Sequence, residues 1–229
     1  MGSSKTSVEV RNERIETLGK EFGLLYDSIY NEFLWLLIKW LEYIELYGTK
    51  KSRIDILNSA APSFFYTIQK TLWENILLGI CKLTDPSKTR GKKNASVNSL
   101  LDFIDDEILK NNVKVKTNEL MEATIFCRDW RNRYISHTDY FLTTDENAKP
   151  LEVASKEKMN LVFTLFQELI NIFQNHYFKV TTVFDMVENR KGAISLLYVL
   201  DEGIESRKIR EDRIRSGIYS ESDLRRKSI

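Results

Sequence analysis

An all-α fold, an up-and-down helical bundle, is expected on three grounds. Glycine and proline are scarce, nine and three in 229 residues, too few for the many turns of an all-β fold. Apolar residues recur at helical spacing over several long stretches. A hydrophobic fraction of 42% beside a charged fraction of 29% suits a globular chain that buries a substantial core. A single bundle domain over 1–204 is expected, with extra helices at both ends and a charged helix or tail over 205–229.

The first stretch reads as helix from about residue 8 to 47. At about 100° per residue, Ile29, Phe33, Leu36, Leu37, Trp40, Leu41 and Ile44 fill one wide arc, opposite Asp27, Asn31, Lys39, Glu42 and Glu45. So wide a stripe packs against more than one neighbour, as in a bundle or a dimer. Gly48 and Thr49 end it. A second helical region runs from about Ser52 to Leu83, interrupted near Ala60 and Ala61 by Pro62. Its second half, FFYTIQKTLWENILLGICKL, is apolar on most sides and belongs in the core; Asp85 and Pro86 stop it.

Next comes SKTRGKKN, a basic loop carrying Lys88, Arg90, Lys92 and Lys93. It is a solvated loop or an RNA-phosphate contact. Ser96 caps a short amphipathic helix, SVNSLLDFIDDEIL, and the polar NNVKVKT separates it from a helix over about Asn118 to Ser136. Thr143 to Pro150 is a polar loop. A strong helix follows from about Ser155 to Phe178, its apolar content including Leu161, Phe163, Phe166 and Leu169. Residues 188 to 206 read as a last helix with Ala193, Leu196, Leu197, Val199 and Leu200 inward, before the charge-dense SRKIREDRIRSGIYSESDLRRKSI.

A net charge of +1 sets up no global field for nucleic acid, so any such binding must use local patches. Cys81 and Cys127 lie in apolar helical patterns and read as buried free thiols. With two cysteines and two histidines so scattered, no metal site is expected. Asp105, Asp106 and Glu107 read as a solvated helix face, His176 as structural, and Trp35, Trp40, Trp73 and Trp130 as core. There is no Gly-rich phosphate loop, GxSxG or HExxH, and no cofactor is expected. The most apolar run, FLWLLIKWL, is about half the length of a membrane span and contains Lys39. MGSSKTSVEV lacks the apolar core of a secretory signal, so a cytoplasmic protein without membrane contact is expected.

The segment RDWRNRYISHTDY, 128 to 140, gathers the chemistry. Arginine offers a permanent charge and a fork of donors suited to phosphate oxygens. Histidine moves protons near neutral pH. Arg133 and His137 are four apart and share a face on an ideal helix. Arg131 and His137 are six apart, about 240° around the axis and about 9 Å along it. They converge if the helix ends or distorts near Ile135, or if two subunits meet. Otherwise the segment is a surface helix end beside a partly buried histidine.

RNRYISH resembles the Arg-x(4–6)-His motif of the HEPN superfamily, with Arg131, the polar Asn132 after it, and His137 after five intervening residues. The succession TLWENILLGICKLTDPSK, a variable loop, SVNSLLDFI and RDWRNRYISHTD is similar to the abortive-infection U-type branch. In that branch a helix ending in aspartate precedes a short leucine-containing helix and the motif. The likeness covers roughly residues 20 to 200, through GAISLLYVL; Ser136 stands where a small alanine is more usual. The resemblance implies a dimerising bundle whose two motifs face one another as a composite endoribonuclease site, acting in phage defence or as a toxin. Arg131 would then bind phosphate and stabilise the transition state, and His137 would act in acid–base chemistry or orient the 2′-OH. Asn132 would position the motif or the phosphate, with Arg128, Arg133 and Asp139 in support. RNA, a second copy of the chain and an antitoxin or other defence-system protein are the implied partners. A subset of the superfamily carries, two residues after the histidine, a tyrosine that an antitoxin modifies with AMP. Here Tyr140 stands three residues after His137, a departure from that subset. The alternative is a non-catalytic module that binds RNA, a nucleotide or a protein.

Overall fold

The computed structural model describes residues 5–184 and 192–224, and they fold almost entirely as helix. Backbone contacts group the chain into two compact units, 1–40 with 73–188 and 41–72 with 189–229. Two long helices contribute to both: α2, Lys20–Tyr47, and α4, Pro62–Thr84.

In the first unit α1, Ser7–Leu18, opens on a capping box in which Thr6 and Glu9 satisfy each other's orphan donors. The sequence reads as one helix through this region, yet Gly19 breaks it. Its φ of 83° lies in the left-handed half of the map, where a side chain is strained. Ile29, Phe33, Leu36, Leu37 and Trp40 of the expected α2 stripe are inside, but so is Asp27, expected on the opposite arc, because α1 covers it and Arg14 pairs with it at 2.6 Å. Phe33 meets Phe166, and Trp40 stacks on Phe163, both from α8, Lys156–Phe173. The Trp40 indole N–H also donates to Asn160 Oδ1 at 3.1 Å. α4 lies along α2, joined by Lys39 to Asn75 at 2.8 Å, and it buries Ile76, Leu77, Ile80 and Cys81. The fourth member is α5, Glu107–Ala123, packed on α8. These four helices form the bundle.

Several expected boundaries move. SVNSLLDFIDDEIL is not one helix: Val97–Phe103 is a 3-10 turn, the chain then extends, and Asp106 caps α5 by accepting from Leu109 N at 2.8 Å. NNVKVKT lies inside α5 rather than between helices. Its lysines and asparagines face out, while Leu109, Val113, Thr117 and Leu120 make the buried stripe. The expected helix over 118–136 is therefore split. Trp35, read as core, is 63% exposed, because it sits on the solvent side of α2. Leu161 is also exposed, on the outer side of α8. Cys81 and Cys127 are buried free thiols, as expected.

The second unit takes the end of α2, α3 (Lys51–Ala60), the start of α4 and α9 (Ala193–Arg215). Pro62 is the first residue of α4, where its missing N–H costs nothing, so the expected interruption becomes a restart. Leu46, Leu57, Phe65, Ala193 and Leu197 form a small core. Glu42 accepts from Ala193 N and so satisfies an orphan donor at the start of α9. Leu196 and Val199, expected inward, are exposed at 41% and 63%, because the inward face of α9 is narrower than its apolar content. Residues 188–191 of the expected last helix, and 225–229 of the tail, lie outside the described residues.

Candidate functional site

The motif segment begins where α5 ends. Thr124 is fully buried, and its hydroxyl donates to Met121 O and accepts from Arg128. A short helix α6, Ile125–Trp130, follows and buries Phe126 and Cys127. The next five residues, Arg131–Ile135, form a π turn, closed by Ser136 N donating to Arg131 O at 2.8 Å. Such widened turns concentrate at functional sites, since they shift side chains off the regular helical lattice. After Ser136 the chain leaves the helix. The helix thus distorts and ends where the six-residue spacing required it to, and ideal-helix angles from Arg131 or Arg133 to His137 do not apply.

Arg131 is held on two sides. Its Nη1 pairs with Asp85 Oδ1 at 2.9 Å, and its Nε donates to Asn132 Oδ1 at 3.0 Å. Nη2 has no partner among the described residues. Both members of the ion pair are about a quarter to a third exposed, so Arg131 is fixed but open to solvent. His137 is exposed and makes no side-chain hydrogen bond among the described residues, in contrast to the partly buried histidine of the structural alternative.

Arg128 and Arg133 are taken up by other partners. Arg128 Nη2 donates to Thr84 O at 2.7 Å, and Nη1 to Thr124 Oγ1 at 2.7 Å. It closes the last turn of α4 and ties α6 to it, with Asn98 Nδ2 adding a bond to Asp85 O at 3.0 Å. Arg133 spans Asp129 and Asp139, both at 3.3 Å, and donates to the Lys149 and Pro150 carbonyls. Asp129 in turn accepts from Glu152 N at 2.8 Å, and the Trp130 indole donates to Glu152 O. The segment after the motif is thereby stapled down. Asp139 also caps α7, Tyr140–Thr144, by accepting from Phe141 N. Desolvation works against its charge, but the bonds from Arg133 and the Phe141 N–H prevail and hold its carboxyl below the ordinary value.

The basic segment is a small hairpin rather than a loop: β1, Lys88–Thr89, pairs antiparallel with β2, Lys92–Lys93. Arg90 and Gly91 at the tip both have positive φ, 49° and 80°, the requirement of a type I′ turn. Lys88, Arg90, Lys92 and Lys93 are all exposed, and Lys88 sits directly across from Lys93. Asp85 lies three residues before β1, so the residue that holds Arg131 also begins the hairpin connection.

Asp85, expected to end its helix, also pairs with Arg131, which its position in the sequence does not by itself show. The aspartate that closes the TLWENILLGICKLTD block was the available signal. Among the described residues no group of three or more His, Cys, Asp or Glu side chains could hold a metal ion. No helix of the described residues is long and apolar enough to cross a membrane.

A family model of HEPN type, described as AbiU2, matches residues 19–195. The chain belongs to the AbiU2 family. The match takes in α2 through the start of α9, including the hairpin, Asp85 and the whole π-turn motif, and an AbiU2-like HEPN bundle is the fold observed. No curated protein and no solved structure matches the chain.

Proposed function

We propose that this AbiU2-family protein is a metal-independent endoribonuclease acting in abortive infection or phage defence, or as a toxin. The observation that carries the reading is Arg131, fixed by Asp85 and Asn132 on a π turn, with the exposed His137 just past its end. In the proposed reaction the RNA 2′-OH attacks the adjacent phosphorus, His137 serves in the proton transfer or orients the hydroxyl, and the 5′-oxygen leaves. Arg131 stabilises the charge that builds on the phosphorane-like transition state. The products are a 2′,3′-cyclic phosphate and a free 5′-OH. Two motifs facing across a homodimer would complete the site. The hairpin supports RNA as substrate, because Lys88, Arg90 and Lys92 are exposed on it beside Lys93, which shares its charge with Glu21 at 3.7 Å, and clustered exposed cations suit a phosphate backbone. An antitoxin or another defence-system protein is the proposed regulatory partner.

Incubation of the pure protein with cellular RNA in EDTA tests this reading. Cleavage is expected from the wild type and at least a hundredfold less from Arg131→Ala or His137→Ala. Equal cutting by all three, or by none, sinks it. A second reading, a non-catalytic RNA-binding module, draws on the same ion pair, since Asp85 already neutralises Arg131. Saturable RNA binding without product, unchanged in His137→Ala, selects that reading.

A further inference from the structure

A second site lies in the first unit, away from the motif elements, where α1, α2 and the end of α8 meet. α8 runs into a π turn of its own, Gln174–Phe178, followed by Lys179 in a left-handed conformation at φ 56°. The turn delivers Gln174 to the wall of a cleft of about 280 Å³. Gln174 is only 7% exposed. One end of its amide is bonded to the Tyr26 hydroxyl at 3.0 Å, and the other has no partner among the described residues. That other end, the carbonyl oxygen, can accept a hydrogen bond from a ligand in the cleft.

Arg14, from α1, lines the same cleft and is 6% exposed. Its Nη1 pairs with Asp27 Oδ1 at 2.6 Å, and its guanidinium lies over the Tyr30 ring at 4.0 Å. Its Nη2 and Nε have no partner among the described residues. Thr182 also lines the cleft, and Asn171 pins its backbone through two hydrogen bonds, at 2.8 and 3.1 Å. Val10, Phe178 and Val180 supply apolar flanks.

We propose that this cleft binds a small, uncharged, planar ligand with an amide-like hydrogen-bonding edge, of the nucleobase or nucleoside class. Three features select that chemistry. The free guanidinium donors, the free amide end and the threonine hydroxyl together match an edge carrying both acceptors and donors. The two cations lining the cleft are already neutralised, Arg14 by Asp27 and Lys5 by Glu13 at 2.6 Å, which disfavours a free phosphate. The volume lies just below the roughly 300–1,000 Å³ of drug-sized ligand pockets, which limits the occupant to one base or nucleoside.

Titration calorimetry of the full chain with uridine, guanosine and adenosine, and separately with inorganic phosphate, tests the site. At least one nucleoside is expected to bind saturably with sub-millimolar affinity, and phosphate alone to give no heat. Gln174→Met keeps the length of the side chain and removes the amide; Val10→Trp fills the cleft from a partly exposed position. Both are expected to weaken binding at least tenfold with an unchanged circular dichroism spectrum, while Arg131→Ala binds as wild type does. The proposal is overturned if no nucleoside binds, if only phosphate binds, or if Arg131→Ala abolishes binding while Val10→Trp does not.

Discussion

Arg128 and Arg131 stand three residues apart, and their neighbours give them different tasks. Arg128 satisfies the carbonyl and hydroxyl of the fully buried Thr84. Removing it takes a charged donor from both, leaving Thr84 O the longer bond from Asn98 Nδ2 at 3.3 Å and the hydroxyl its bond to Ile80 O. Arg128→Met is therefore expected to lower stability by about 1–3 kcal/mol, read as a drop in thermal midpoint. The Arg131–Asp85 pair is partly exposed, and such pairs contribute about 0–1 kcal/mol. Arg131→Ala should therefore leave the midpoint nearly unchanged while removing the proposed cleavage. Equal destabilisation by the two substitutions would contradict this division of labour. The thiols give a second check at this scale. Burial pushes the Cys127 thiol far up, with Cys81 nearby adding to the effect. Burial also raises Cys81, against the opposing charges of Arg131 and Arg128. Both should resist iodoacetamide in the native protein at about pH 8 and react once guanidinium unfolds it, because only the thiolate is nucleophilic.

Among the elements, the α1–α2 corner and the segment after the motif are the most sensitive. A Cβ on Gly23 would lie 2.6 Å from Ile15 Cα and 2.7 Å from Arg14 O, both backbone atoms of α1. On Gly79 it would meet only the end of the Leu36 side chain, at 2.5 Å, which can rotate away. Gly23→Ala is accordingly expected to cost about 1–3 kcal/mol and Gly79→Ala less, measured by denaturant unfolding. The stapled segment over 139–152 should respond to acid. The Asp139 carboxyl has a folded value below its ordinary 3.8. Its contribution is therefore present above that value and lost as pH falls through the depressed one. Amide exchange over 145–152 is expected to quicken as pH falls below about 4 beyond the intrinsic rate change. Arg133→Ala should reproduce that quickening at neutral pH.

At the scale of the molecule, stability should fall on the alkaline side. Burial raises the Tyr26 phenol above its ordinary 10.0, as it raises Cys127 above 9.0. From about pH 9 upward the unfolded chain releases protons that the folded chain retains, so unfolding becomes progressively easier. The thermal midpoint should decline between about pH 8 and 10.5, and the decline should be shallower in Cys127→Ala. Much of the architecture was legible beforehand, because helical periodicity is a local signal: most of the α2 stripe, the break at Pro62 and a helix opening near Ser155 all stood in the sequence. Other features were not. NNVKVKT looked like a linker because α5 hides only Val113 and Thr117 of that stretch behind exposed polar neighbours. Trp35 looked like core because residue type does not say which side of a helix meets a neighbour. The candidate site divides in the same way. Arg131, Asn132 and His137 could be named from spacing and likeness, and so could the need for a helix to distort near Ile135. That Asp85, 46 residues away, grips Arg131, and that Arg128 reaches Thr84 on α4, depends on helices packing side by side. The bonds that occupy Arg133 depend on the chain over 139–150 folding back over it. The helical frame, the buried thiols and the motif's place at a helix end are local properties, because backbone preference and hydrophobic period act over a few residues. Which arginine keeps a terminal guanidinium nitrogen without a partner among the described residues is settled by folding, because it depends on which carboxylates and carbonyls are brought within hydrogen-bonding reach.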